Sequence, residues 1–145
     1  DHQSGRSSMK VCIVTFSARP SASLTAYAAS LAKGIETQGF QVDLVDGSRD
    51  ENAKLTMYQY IAVGTEQVSF FGRIDEKIGV RLAAMGMIQG KNAFAFVTKK
   101  IFGEQRALLG LMKVMEKEGM FVRYSDVLLS EAYAFEIGKR LHIGQ

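Results

Sequence analysis

The chain has 145 residues, 47% hydrophobic and 23% charged, which is the balance of one globular domain. One cysteine excludes a disulfide scaffold, and the composition excludes collagen and wholesale disorder. The net charge of +3 lacks the dense Lys and Arg patch of a nucleic-acid binder, but it suits acidic small molecules such as phosphate esters.

Residues 1–8 are polar and precede Met9. They read as an expression scar or disordered leader, which leaves a single domain over 9–145. No apolar stretch approaches the roughly 20 residues of a membrane helix. No targeting segment is visible, and with one cysteine this points to a reducing cytoplasm.

Val11-Cys12-Ile13-Val14 is a continuous apolar run, as expected of a strand buried on both faces. Leu24, Ala28, Leu31 and Ile35 then repeat at helical spacing, and Gly39 closes that helix. Val42, Leu44 and Val45 form the second strand, and residues 47–54 read as a polar loop. Residues 60–63 are the third strand, stopped by Gly64. A second helix is expected over about residues 74–85, with Ile78 and Leu82 inward. Residues 93–97 form the fourth strand, between glycines 86 and 90 and the polar run that follows. Leu108, Leu111, Met112 and Met115 mark the next helix, ended by Gly119. Residues 121–127 are the fifth strand, and Ala134, Ile137 and Leu141 lie on a last helix. Alternating short apolar strands and amphipathic helices predict an α/β three-layer sandwich with helices on both faces of a parallel sheet.

In such a sheet a ligand binds beyond the carboxyl ends of the strands. After strand one the chain places Ser17, Arg19, Ser21 and Ser23, three hydroxyls and a planar cation leading into a helix N-terminus. That combination suits a phosphate. It equally suits a plain helix cap, with Ser21 or Ser23 as N-cap. After strands three and four come Thr65, Phe70, Phe71, Thr98 and Phe102. The phenylalanines suit a flat aromatic ligand, or simple burial in the core.

Several site types are excluded by spacing. The first loop has neither G-x-G-x-x-G nor a P-loop pattern. No carboxylate ends strand one or three, where a response-regulator receiver needs one. Cys12 lies inside a strand, separated from Arg19 by six residues where a small tyrosine phosphatase has five between its cysteine and arginine, and reads as a buried structural thiol. His2 and His142 are the only histidines, so no metal cluster and no catalytic His–carboxylate pair is assigned.

The five strands, the hydroxyl-rich first loop, Gly64-Thr65, residues 89–98 and residues 116–122 together resemble the flavodoxin family and its wider flavodoxin-like superfamily. The resemblance spans nearly all of residues 9–141. It implies a five-stranded sheet in the order 2-1-3-4-5, bound FMN, electron transfer and a redox partner protein. By position, Ser17, Arg19, Ser21 and Ser23 would face the phosphate. Residues 65–71 and 98–103, with Thr65, Phe70, Phe71, Thr98 and Phe102, would flank the ring. The first loop departs from the family's S/T-x-T-G-x-T pattern and has no glycine, and the chain has no Trp. The loop is also similar to those of NAD(P)H-dependent FMN and quinone reductases. Three readings follow: an FMN-binding electron carrier, a flavodoxin-fold module that has lost flavin and binds a protein, and a small NAD(P)H-dependent reductase.

The charge is uneven. Residues 1–72 hold 6 Lys+Arg against 7 Asp+Glu, and residues 73–145 hold 12 against 8. The basic half includes Lys99 and Lys100 beside the expected ring site, which predicts an acidic partner.

Overall fold

The computed structural model describes residues 9–144. The leader read at 1–8, with His2, lies outside the described residues. Five strands, β1 (Lys10–Phe16), β2 (Gln41–Asp46), β3 (Tyr60–Thr65), β4 (Asn92–Thr98) and β5 (Phe121–Leu128), pair in parallel in the order β2-β1-β3-β4-β5. Four helices cover them: α1 (Ala22–Glu36), α2 (Ile78–Ala83), α3 (Glu104–Lys117) and α4 (Glu131–Arg140). This is the α/β sandwich expected from the alternating pattern, in the strand order that the resemblance implied.

The alternation of side chains along each strand builds two cores. Cys12, Val14, Ile61, Val63, Ala95 and Val97 pack on the side of α2 and α3. Val11, Ile13, Ala62, Phe94 and Phe96 pack on the side of α1 and α4. Leu24, Leu31 and Ile35 of α1 are at most 2% exposed, each stabilising the fold by about 1.5–3 kcal/mol. The central strands are continuous apolar runs because both of their faces are covered. β2 has one neighbouring strand, and Leu44 on it is 53% exposed.

Helix ends follow local chemistry. Ser21 caps α1, its Oγ accepting from the Leu24 amide at 3.2 Å. Ser130 caps α4 in the same way through the Tyr133 amide. Thr37 ends α1 by donating its hydroxyl to the Gly34 carbonyl at 2.6 Å.

Two expectations are corrected. The helix expected over 74–85 spans only Ile78–Ala83, because Asp75 holds the preceding residues in a turn. Its side chain accepts from the Lys77 amide at 2.9 Å and its carbonyl from the Ile78 amide at 3.3 Å. Gly64 does not stop β3, which runs on through Thr65. A Cβ at Gly64 would collide with the Phe96 ring, so the glycine admits a large side chain from the neighbouring strand.

Candidate functional site

The chain leaving β1 runs to β2 on one side and the chain leaving β3 runs to β4 on the other, which opens a crevice between the carboxyl ends of β1 and β3. Three loops meet there: 17–21 after β1, 66–77 after β3 and 99–103 after β4. They form two adjoining clefts that share Gln67, Val68 and Lys100.

The first cleft has a volume of about 560 Å³ and brings together Ser17, Arg19, Ser21 and Ser23, the four first-loop residues singled out in the sequence. It also holds Glu66. The Ser21 hydroxyl, already the helix cap, donates to Glu66 Oε2 at 2.7 Å. The Ser23 hydroxyl donates to the same oxygen at 3.2 Å, and Lys100 Nζ lies 3.6 Å from it. Two hydroxyls at the start of α1 and an ammonium from loop 99–103 thus converge on one carboxylate oxygen. A negative charge beside the first turn of a helix is favoured by the helix dipole.

Ser17 turns the other way, towards the end of β2. Its amide donates to Ser48 Oγ at 2.9 Å, and Arg49 donates to its hydroxyl at 3.2 Å and to its carbonyl at 3.3 Å. Arg49 also pairs with Asp46 at 3.1 Å. Arg19 is exposed, and among the described residues it makes no hydrogen bond or ion pair. Pro20 beside it has no amide proton to give. No non-glycine residue of the described chain has a positive φ, so the glycine-free loop 17–21 makes no concave nest of amides.

The second cleft, about 360 Å³, lies between loops 66–77 and 99–103. Phe70 and Phe102 stack across it with centroids 5.0 Å apart and planes 16° from parallel. Phe71 meets Phe70 edge-on at 5.5 Å. All three rings are more than half exposed, as are Val68 and Ile101. Core burial, the plainer alternative for these phenylalanines, is therefore excluded.

The loops are tied beneath the rings. Gln67 Nε2 donates to the Ser69 carbonyl at 2.9 Å and the Phe102 carbonyl at 2.7 Å. Gly72 and Gly103, both at positive φ, pack backbone to backbone where no Cβ fits. Gln67 Oε1 is buried without a hydrogen-bond partner, and so is the Thr98 hydroxyl. Thr65 is fully buried and donates to the Phe16 carbonyl at 2.6 Å, so its hydroxyl joins two strand ends.

The lysines of the basic half are paired here. Lys99 Nζ donates to Glu104 Oε2 at 2.8 Å, and that bond holds the Glu104 carboxyl below its ordinary range. Glu66 and Gln67 fall in the stretch expected to flank the ring and Lys100 beside it, but their contacts with Ser21, Ser23 and Phe102 were not foreseen. For Glu66 the available signal was an acid directly after β3, in a loop that meets a helix N-terminus.

No family model matches the sequence, and no curated protein matches it. Solved structures do match. An archaeal flavodoxin is 23% identical with a TM-score of 0.69, the match covering 94% of this chain and 95% of that one. The oxidised flavodoxin 1 of Bacillus cereus is 16% identical with a TM-score of 0.67, covering 90% and 99%. A short-chain flavodoxin associated with a non-canonical PDU bacterial microcompartment is 12% identical with a TM-score of 0.69, covering 90% and 95%. Among the described residues no helix is long and apolar enough to cross a membrane. With this strand order, these loops and these neighbours, the chain has the flavodoxin fold in a divergent form.

Proposed function

We propose that the chain is a flavodoxin-like electron-transfer protein that holds a flavin ring between loops 66–77 and 99–103. One observation carries the reading. Phe70 and Phe102, one from each loop, lie nearly parallel and exposed at the carboxyl edge of the sheet. Parallel exposed rings offer a flat aromatic ligand both stacking and apolar burial.

The residues present fit the ring end of FMN, the cofactor implied by the resemblance. A ring held between Phe70 and Phe102 needs their centroids about 7 Å apart, two van der Waals contacts. That is a loop motion of modest size. Gln67, which lines the cleft, has an unpartnered Oε1 that then supplies hydrogen-bonding capacity beside the ring. The phosphate end fits poorly. The Ser21 and Ser23 protons are given to Glu66, and the loop has neither a glycine nor an amide at Pro20.

When bound, a flavin supplies the redox chemistry itself. The chain stacks the ring, orients it and shields it from water. A redox partner protein would approach over Phe71 and Ile101, which stay exposed at the mouth.

The test is the visible spectrum of fresh protein, followed by fluorescence titration with riboflavin and with FMN. A yellow protein, or quenching of either flavin that is lost in Phe102→Ala, supports the reading. A colourless protein that quenches neither overturns it. The same apolar rim, with Ile101 96% exposed, favours a second reading as a flavin-free protein-binding module. Bleaching of bound flavin by NADPH alone would instead indicate the reductase.

A further inference from the structure

We propose that Glu66 is a built-in anion that takes the place of a ligand phosphate, so that the site accepts a flavin ending in a hydroxyl and rejects FMN. The inference rests on the flavin reading for its ligand, but the placing of the anion stands on geometry alone.

Glu66 Oε2 receives the hydroxyl protons of Ser21 and Ser23 and lies 3.6 Å from Lys100 Nζ. These are the groups that would otherwise greet a phosphate at the start of α1. Ser21 has one hydroxyl proton, and its oxygen already accepts from the Leu24 amide. Its donor capacity is therefore spent. A phosphate entering here displaces the carboxylate or sits against it, two anions in one partly buried cleft. The backbone offers little in exchange, since loop 17–21 lacks a positive-φ residue and Pro20 lacks an amide proton. Arg19 is the cation of this cleft without a partner among the described residues, and it stands exposed where solvent screens it.

A polyol tail meets the opposite chemistry. Its hydroxyls donate to a carboxylate, and a charge-assisted bond of that kind is stronger than a neutral one. The aromatic cleft and the Glu66 cleft share Gln67, Val68 and Lys100, so one ligand spans both. The ligand class is a phosphate-free flavin such as riboflavin.

The test uses the full chain, wild type and Glu66→Gln, which keeps size and one acceptor oxygen while removing the charge. Riboflavin and FMN are titrated by fluorescence quenching at low salt. Wild type is expected to bind riboflavin about tenfold tighter than FMN or more, and Glu66→Gln to narrow that ratio about tenfold by tightening FMN. Wild type favouring FMN, or a ratio unmoved by the substitution, overturns the inference. In a second arm, inorganic phosphate at constant ionic strength is expected to raise the Tm of Glu66→Gln and leave that of wild type unchanged. An equal rise in both proteins overturns the inference whether or not flavin binds. If neither flavin binds, the flavin reading falls, and the phosphate arm alone decides whether Glu66 holds the anion's place.

Discussion

Gly34 of α1 and Gly138 of α4 face each other across the helix crossing, and a Cβ on Gly138 would lie 3.0 Å from the Gly34 Cα. The same Cβ would come 2.8 Å from the Ile35 amide nitrogen and collide with the Leu31 carbonyl. All of these are backbone atoms, which cannot swing aside. Gln38 fastens the crossing by donating to the Gly138 carbonyl at 2.7 Å and the Leu141 carbonyl at 3.1 Å.

Gly138→Ala therefore tests two opposed effects. Alanine gains about 1 kcal/mol of helix propensity. Forcing the helices apart costs about 1–3 kcal/mol or more through lost packing along both. The clash is with rigid backbone on both sides, so the cost wins. Urea denaturation is expected to show a net loss of about 1–2 kcal/mol, with Tm lower by several degrees. A more stable variant would mean that the helices are not this close.

Cys12 lies fully buried in β1. Burial, and then the nearby Asp43 carboxylate, push its thiol up to about 12. The reactive thiolate is thus scarce at any working pH. Ellman's reagent at pH 8 is expected to leave the native protein unlabelled and to titrate one thiol after denaturation. Rapid labelling of the native protein would place Cys12 at an accessible surface.

The Tyr133 hydroxyl donates to Asp126 Oδ2, which also accepts from Tyr124 at 3.4 Å. That bond first, and burial second, push the Tyr133 phenol up to about 12. The folded value lies above the unfolded value of about 10. The stabilisation is therefore complete below pH about 10 and is lost as the pH rises towards 12. Tyr133→Phe is expected to cost at most about 1 kcal/mol at neutral pH and to flatten the alkaline fall in stability over that window. Parallel alkaline limbs for the two proteins would remove Tyr133 from the account.

The sequence made the scaffold legible wherever a single physical pattern ruled. β1 and β4 are covered on both faces and so read as apolar runs, and α1 and α3 bury one face and so show helical spacing. The short α2 was hidden because Asp75 competes for the backbone of residues 74–77, a local contest that apolar spacing does not register. Gly64 read as a strand end because its partner, the Phe96 ring, comes from β4. The site was legible as a set of loops but not as a set of contacts. Glu66 meets Ser21 and Ser23 across more than 40 residues of chain, and only the folded sheet brings them together. Phe70 and Phe102 were legible as aromatics near the sheet edge, but their exposure depends on how the two loops are tied.

Gln67 makes that tie, and its removal separates the role of the loops from the role of the rings. Its side-chain nitrogen bridges the Ser69 and Phe102 carbonyls, while Oε1 stays buried and unpartnered. Gln67→Ala frees both carbonyls and removes the side-chain bond to Phe102, leaving the ring packing, the Gly72–Gly103 contact and the Lys100–Glu66 pair to hold the two loops together. The cost to global stability is expected to be about 1 kcal/mol, since loop carbonyls recover hydrogen bonds to water. Local order falls further, so amide hydrogen exchange is expected to quicken in residues 99–103 while the β4 amides stay protected. Flavin affinity is expected to drop about tenfold or more, because an untied loop must be ordered again on binding. Gln67→Glu keeps an acceptor but loses both donated bonds, and is expected to loosen the loop as Gln67→Ala does. Exchange in residues 99–103 unchanged in both variants would show that the other contacts between the loops suffice, and that Gln67 serves no purpose as a tie.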